Sequence, residues 1–217
     1  MKRTVWLVLA VSMMAAGNRA EAAIRITEWM YSGNSGEFIE FTNTGAMPVD
    51  LTGWSYSDSA QAPGSVALGE LGTIAAGESF ILAEPTAAAF RSAWGLSPSV
   101  KVKGENTQNL GRGDEINIYD ASNLLVDRLT YGDQVFSGSI RTQNQSGIPS
   151  SSSALGVNDV MMWQLAVDGD SFGSWTSAQG DQGSPGVYGV PEPAAVTLAG
   201  LAGVSLAMLR RKGRAGR

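Results

Sequence analysis

The sequence predicts an all-β sandwich or barrel, carried between a hydrophobic helix at each end. Three observations predict it. Short runs of alternating or β-branched residues recur through the middle of the chain, separated by Gly, Asn and Ser turns. Only one stretch of that middle region has a helical pattern. Each end holds an uncharged apolar run with basic residues beside it.

The first element is residues 1–22, which read as a secretory signal peptide. Lys2 and Arg3 form the positive start, and residues 5–16 are a run of 12 uncharged residues. Ala20-Glu21-Ala22 supplies the small-x-small site, so signal peptidase is expected to cut after Ala22. The run is short for a bilayer, which takes about 20 residues. The alternative is a buried N-terminal helix.

The strands come next. Residues 24–28 alternate. Residues 37–41 alternate strictly, with Phe38 and Glu40 on one face and Glu37, Ile39 and Phe41 on the other. A face that joins Phe38 to Glu40 is expected to be partly exposed, or covered at its edge. Residues 49–56, 79–83, 115–119 and 124–131 also read as strands, followed by 160–167 and 175–177. Turn residues separate them. Ser32-Gly33-Asn34-Ser35-Gly36 and Asn43-Thr44-Gly45 can take positive φ, and Asp120-Ala121-Ser122-Asn123 suits a hairpin. The one helix is 86–94: Thr86 can cap it, Ala87-Ala88-Ala89 favour it and Gly95 can stop it. Residues 137–156 are rich in Ser, Gly and Gln and read as a long loop, mobile or draped over the sandwich. The domain is therefore placed at 23–189.

The last element is residues 190–217. Val190-Pro191-Glu192-Pro193 leads into 16 uncharged residues, 194–209, and then Arg210-Arg211-Lys212, Arg214 and Arg217. At about 1.5 Å per residue the helix spans about 24 Å, short of the ~30 Å hydrocarbon core. Local thinning and snorkelling arginines can close that gap. The basic end would stay cytoplasmic, with the domain outside.

Composition excludes whole classes of chemistry. With no cysteine and no histidine there is no disulfide framework, thiol nucleophile, Cys/His zinc site or histidine base. Residues 23–190 hold seven basic and 18 acidic residues, a net charge of −11. That balance disfavours nucleic acid as a partner and favours solubility outside the cell.

Carboxylates are the remaining candidates. Glu37 and Glu40 lie on opposite strand faces, which suits paired acid–base work poorly. Glu28 and Glu40 could meet across neighbouring strands, but the pairing is not legible. Asp168-Gly169-Asp170-Ser171, with Asp181 after Gly180, is the best local calcium candidate, because hard oxygen ligands at alternate positions suit that ion. It is not an EF-hand loop: Phe172 holds the fifth position and Gln179 the twelfth. The plain alternative is an acidic turn. Gly111-Arg112-Gly113-Asp114 lacks the Lys-Ser/Thr of a phosphate loop. Trp54, after Gly53, reads as a core plug. Trp29, Trp94, Trp163 and Trp175 read as core residues, with sugar stacking as the alternative.

Two resemblances follow from these residues. Pro191-Glu192-Pro193, the apolar helix and the terminal arginines resemble the PEP-CTERM sorting signal of Gram-negative bacteria. That resemblance implies recognition by an exosortase, which cuts near Pro191, Glu192 and Pro193; an ordinary tail anchor is the alternative. The runs 37–43, 49–54, 74–77, 113–120 and 126–132 resemble, in order, a lamin-tail domain. Gly183-Ser184-Pro185-Gly186 resembles the end of the longer bacterial versions. This implies an immunoglobulin-like β-sandwich and no single activity. The expectation is an exported, non-enzymatic cell-envelope protein of structural or adhesive role. It is held in the inner membrane by its C-terminal helix until processed, then lies at the surface or outside the cell, near exopolysaccharide or biofilm matrix. The rivals are a carbohydrate- or calcium-binding module and a carboxylate-dependent hydrolase. No other cofactor is expected.

Overall fold

A computed structural model describes residues 24–132 and 140–189. The signal-peptide reading, with Ala20 and Ala22, lies outside the described residues. So do the start of the 137–156 stretch and the tail with Pro191, Glu192 and Pro193. Among the described residues no helix is long and apolar enough to cross a membrane.

In chain order the strands are β1 (Ile24–Met30), β2 (Phe38–Asn43), β3 (Val49–Asp50), β4 (Ser55–Ser57), β5 (Val66–Ala67), β6 (Thr73–Ile74) and β7 (Ser79–Ala83). After the helix α1 (Ala87–Trp94) come β8 (Lys101–Lys103), β9 (Gly113–Tyr119), β10 (Leu125–Gly132), β11 (Gly147–Pro149), β12 (Trp163–Leu165), β13 (Trp175–Thr176) and β14 (Gln182–Gly183). One sheet has the order β12-β11-β1-β2-β7-β8 and a second the order β10-β9-β4-β5. All neighbours are antiparallel except β7 and β8. β3–β6 and β13–β14 are small ribbons.

The fold is all-β around two cores, in keeping with an immunoglobulin-like sandwich. Ile26, Trp29, Ile39, Phe41 and Phe80 of the first sheet pack with Tyr56, Ile116, Ile118 and Leu129 of the second. The alternate residues Met30, Phe38 and Ile81 pack on the first sheet's other face against Phe90 and Trp94 of α1. The Phe38–Glu40 face, expected to be partly exposed or covered at its edge, is fully covered: Phe38 lies in that second core, Glu40 accepts the Gly186 amide, and each is 1% exposed. The helix forms as its sequence indicates. Thr86 Oγ1 accepts from the Ala89 amide at 3.2 Å, and Gly95 closes it in the left-handed conformation.

Other elements differ from the expectation. The 49–56 stretch breaks at a turn in which the Trp54 amide donates to the Leu51 carbonyl, with Gly53 at φ 80°. Trp54 ends half-buried at the margin of the core rather than filling it. The 160–167 stretch opens as a 3-10 turn, because Asp159 accepts from the Met161 amide. The stretch expected as a loop supplies β11, which pairs with β1 and β12.

β1 carries a bulge. Its pairing with β2 runs Ile24↔Asn43 to Ile26↔Phe41, then shifts to Glu28↔Glu40. Thr27 is the extra residue. Ile24, Ile26 and Trp29 belong to the core between the sheets, whereas Met30 belongs to the core under α1. Strict alternation would point Glu28 between the sheets. The bulge turns it to the outer face, beside Glu40.

Candidate functional site

Glu28 and Glu40 sit directly opposite each other on β1 and β2, and each is 1% exposed. The strand Cβ spacing at such a pair is about 4.5–5.5 Å. Hydroxyls and amides surround the two carboxyls. Ser146 Oγ donates to Glu28 Oε1 at 2.5 Å, and the Ser184 amide donates to the same oxygen at 2.8 Å. Ser184 Oγ donates to Glu28 Oε2 at 2.9 Å. Thr27 Oγ1 donates to Glu40 Oε1 at 2.7 Å, and the Gly186 amide to Glu40 Oε2 at 2.5 Å. No lysine or arginine forms an ion pair with either acid among the described residues.

The electrostatics follow from burial without a cation. Desolvation is the main effect at both groups and pushes both carboxyls well above the usual range. The charge of Glu28 adds to the rise at Glu40, and Asp170 adds a smaller rise at Glu28. The hydrogen bonds work in the opposite direction and do not win. Ionising both groups together is therefore disfavoured.

The pair is roofed by the segment that follows β14. The Val187 amide donates to the Ser184 carbonyl at 3.0 Å, with Pro185 and Gly186 between them. Gly186 has φ 88°, which fits the third position of a type II turn after proline. Gly183 is equally constrained, since a Cβ there would lie 2.6 Å from Glu28 Oε1 and 3.1 Å from the Trp94 ring. The cavity beside the acids is about 10 Å³ and is lined by Thr27, Ile148, Phe172, Ser184 and Tyr188 among others. That is about the space of one water molecule. A sugar or peptide substrate has no room there.

The other buried acids repeat the pattern. Glu37 accepts the Leu110 amide, Asp127 the Ile26 amide, and Asp181 the Asn34 and Ser35 amides. Each bond joins segments at least 73 residues apart. These carboxyl groups act as fasteners between distant backbone segments.

The three aspartates singled out for calcium are placed separately. Burial works to raise Asp170. Four bonds from Val167, Phe172 and Ser174 outweigh it and hold the carboxyl below its usual value. Asp168 accepts from Thr176 Oγ1 at 2.6 Å. Asp181 is fully buried against Asn34 and Ser35. Among the described residues no group of three or more His, Cys, Asp or Glu converges on a metal position. Trp29, Trp94 and Trp163 lie in the cores, and no aromatic ring among the described residues is exposed.

Sequence reasoning considered the Glu28–Glu40 pairing but could not establish it, and it missed Ser184 and Gly186 as partners. The available signal was a glutamate inside an otherwise apolar strand, with Thr27, Thr42 and Ser79 on the neighbouring positions. A family model, the Lamin Tail Domain, matches residues 18–133, more than half of the chain. No curated protein matches it.

Proposed function

Because the chain belongs to the Lamin Tail Domain family, we propose that it is an exported, non-enzymatic module with a structural or adhesive role at the cell surface. The observation that carries the non-enzymatic part is the closure of the Glu28–Glu40 pair. The two acids best placed for joint chemistry lie under a strap, beside a cavity of about 10 Å³. A glycosidase holds its two carboxylates apart in an open cleft.

The export reading is supported by the two ends of the sequence. Signal peptidase removes residues 1–22, and the 194–209 helix holds the protein in the inner membrane. An exosortase then processes the tail at Pro191-Glu192-Pro193 and releases the domain to the surface or the extracellular matrix, near exopolysaccharide.

Terminal-peptide mass spectrometry on native protein from envelope and spent medium tests this. A mature form starting near Ala23 and ending near Pro191 is expected. Protein that keeps residues 194–217 in both fractions would mean a permanent anchor and would end the sorting proposal.

A further inference from the structure

The strap over the carboxylate pair is attached in an unusual way. Its Ser184 and Gly186 amides are hydrogen-bonded to Glu28 and Glu40, which face each other across one β-ladder step. Among the described residues no basic side chain pairs with either acid. β1 and β2 contribute the two acids, with Arg25 of β1 turned to the Ile24 and Val126 carbonyls; β7 contributes Ser79, and the approach to β11 contributes Ser146. The 167–174 turn brings Asp170, and the strap itself brings Tyr188, whose hydroxyl is pushed up to about 12 by burial and then by Glu40. From α1 the nearest group is the Trp94 ring; Arg91 is turned to the Val100 carbonyl. Among the described residues the titratable groups that act on the pair or feel it are thus acids, and each lost proton adds negative charge to a closed space.

We propose that Glu28 and Glu40 form a proton-operated latch on the 184–189 strap. With a proton on the pair, one carboxyl is neutral and the strap amides close over it. When both groups ionise, their repulsion and their need for water are met only by lifting the strap, since β1 and β2 are fixed between two cores. Water then reaches the acids, and the strap leaves the sheet while the sandwich stays folded. The latch stands on the described residues alone. Its consequence for the tail rests on the proposed sorting: an open strap frees the six residues 184–189, a tether of about 20 Å at about 3.3–3.6 Å per residue.

Amide hydrogen exchange on the full chain reads the latch directly, with the known effect of pH on intrinsic exchange divided out. Protection at Ser184 and Gly186 is expected to fall by about tenfold or more between about pH 6 and about pH 9, while Ile39 and Phe41 keep theirs. Glu40→Gln, which stays neutral, is expected to hold protection within about twofold over that range. Wild-type protection that does not change with pH overturns the proposal. So does loss at Ile39 and Phe41 together with the strap, because that is unfolding. If Glu40→Gln fails to fold, cleavage by chymotrypsin after Tyr188 decides on wild type: faster cleavage at the higher pH, relative to an unfolded peptide control, supports the latch, and an unchanged ratio rejects it. None of these readouts involves an exosortase, so failure of the sorting proposal leaves them intact.

Discussion

Glu37 accepts the Leu110 amide with both carboxyl oxygens, each at 2.9 Å, and is 5% exposed. Burial dominates its titration and raises it from 4.5 to about 8, with Glu84 and Asp114 adding to the rise. The folded protein therefore keeps a proton that the unfolded chain has already lost above pH 4.5. Stability from this group is greatest below the unfolded value and falls as pH rises toward about 8. Glu37→Gln removes that slope. Its melting temperature is expected to change less than that of wild type between about pH 5 and about pH 8, and to match or exceed wild type at the upper end. Parallel melting curves for the two proteins would show that Glu37 does not bind the proton. At this scale the sequence was informative about residue type and silent about partners. Glu28, Glu37 and Glu40 are visible as acids beside apolar residues. Their acceptor roles depend on Ser184, Leu110 and Gly186, which are 73 to 156 residues away.

Elements whose causes are local were legible. The helix needs only a cap, three alanines and a stop, all within ten residues, and the structure places it at Ala87–Trp94. The 79–83 strand and the 120–123 hairpin turn are local in the same sense, with Asn123 supplying φ 61°. Elements set by pairing were not legible. β5 and β6 have two residues each and β8 three, too short for a period to show. β11 lies in Ser- and Gly-rich sequence, and Gly147 is required there because the Trp29 ring lies 2.4 Å from where its Cβ would be. The bulge at Thr27 is the clearest case. Residues 24–28 alternate, yet the register shift sends Glu28 to the opposite face. Deleting Thr27 restores plain alternation and leaves Glu28 on the outer face, because Ile26 and Trp29, then on either side of it, both face the core between the sheets. Such a protein loses the Thr27 hydroxyl from Glu40 but keeps each face, so it is expected to melt cooperatively at a lowered temperature. Loss of cooperative melting after the deletion would mean that Glu28 does not stay opposite Glu40 once Thr27 is gone.

At the scale of the whole molecule, the extent of the family match and the extent of the folded unit differ. The match ends at residue 133, but the first sheet is completed by later residues. β11 covers the free edge of β1, with Trp29 opposite Gly147. Trp163 of β12 packs edge-on against Trp29 at 4.9 Å. Asp181 holds the turn after β1 through the Asn34 and Ser35 amides, and Ser184 and Gly186 satisfy the buried acids. Cutting at 133 exposes an open edge of a central strand, strips one side of a fully buried tryptophan and leaves Glu28 and Glu40 without their amide donors. A fragment of residues 18–133 is therefore expected to lack a cooperative thermal transition and to aggregate, whereas residues 23–189 melt as one unit. The same reasoning ranks an intermediate fragment. Ending the chain at 183 keeps every strand and removes only the strap. It should fold with a lower melting temperature, and the loss should be larger at about pH 5 than at about pH 8, because the closed strap contributes most while the pair holds its proton. Calorimetry on the three fragments checks the order. If residues 18–133 melt cooperatively at the temperature of 23–189, the later strands and the strap are decoration on an independent sandwich. In that case the buried acids contribute nothing that the first half of the chain needs.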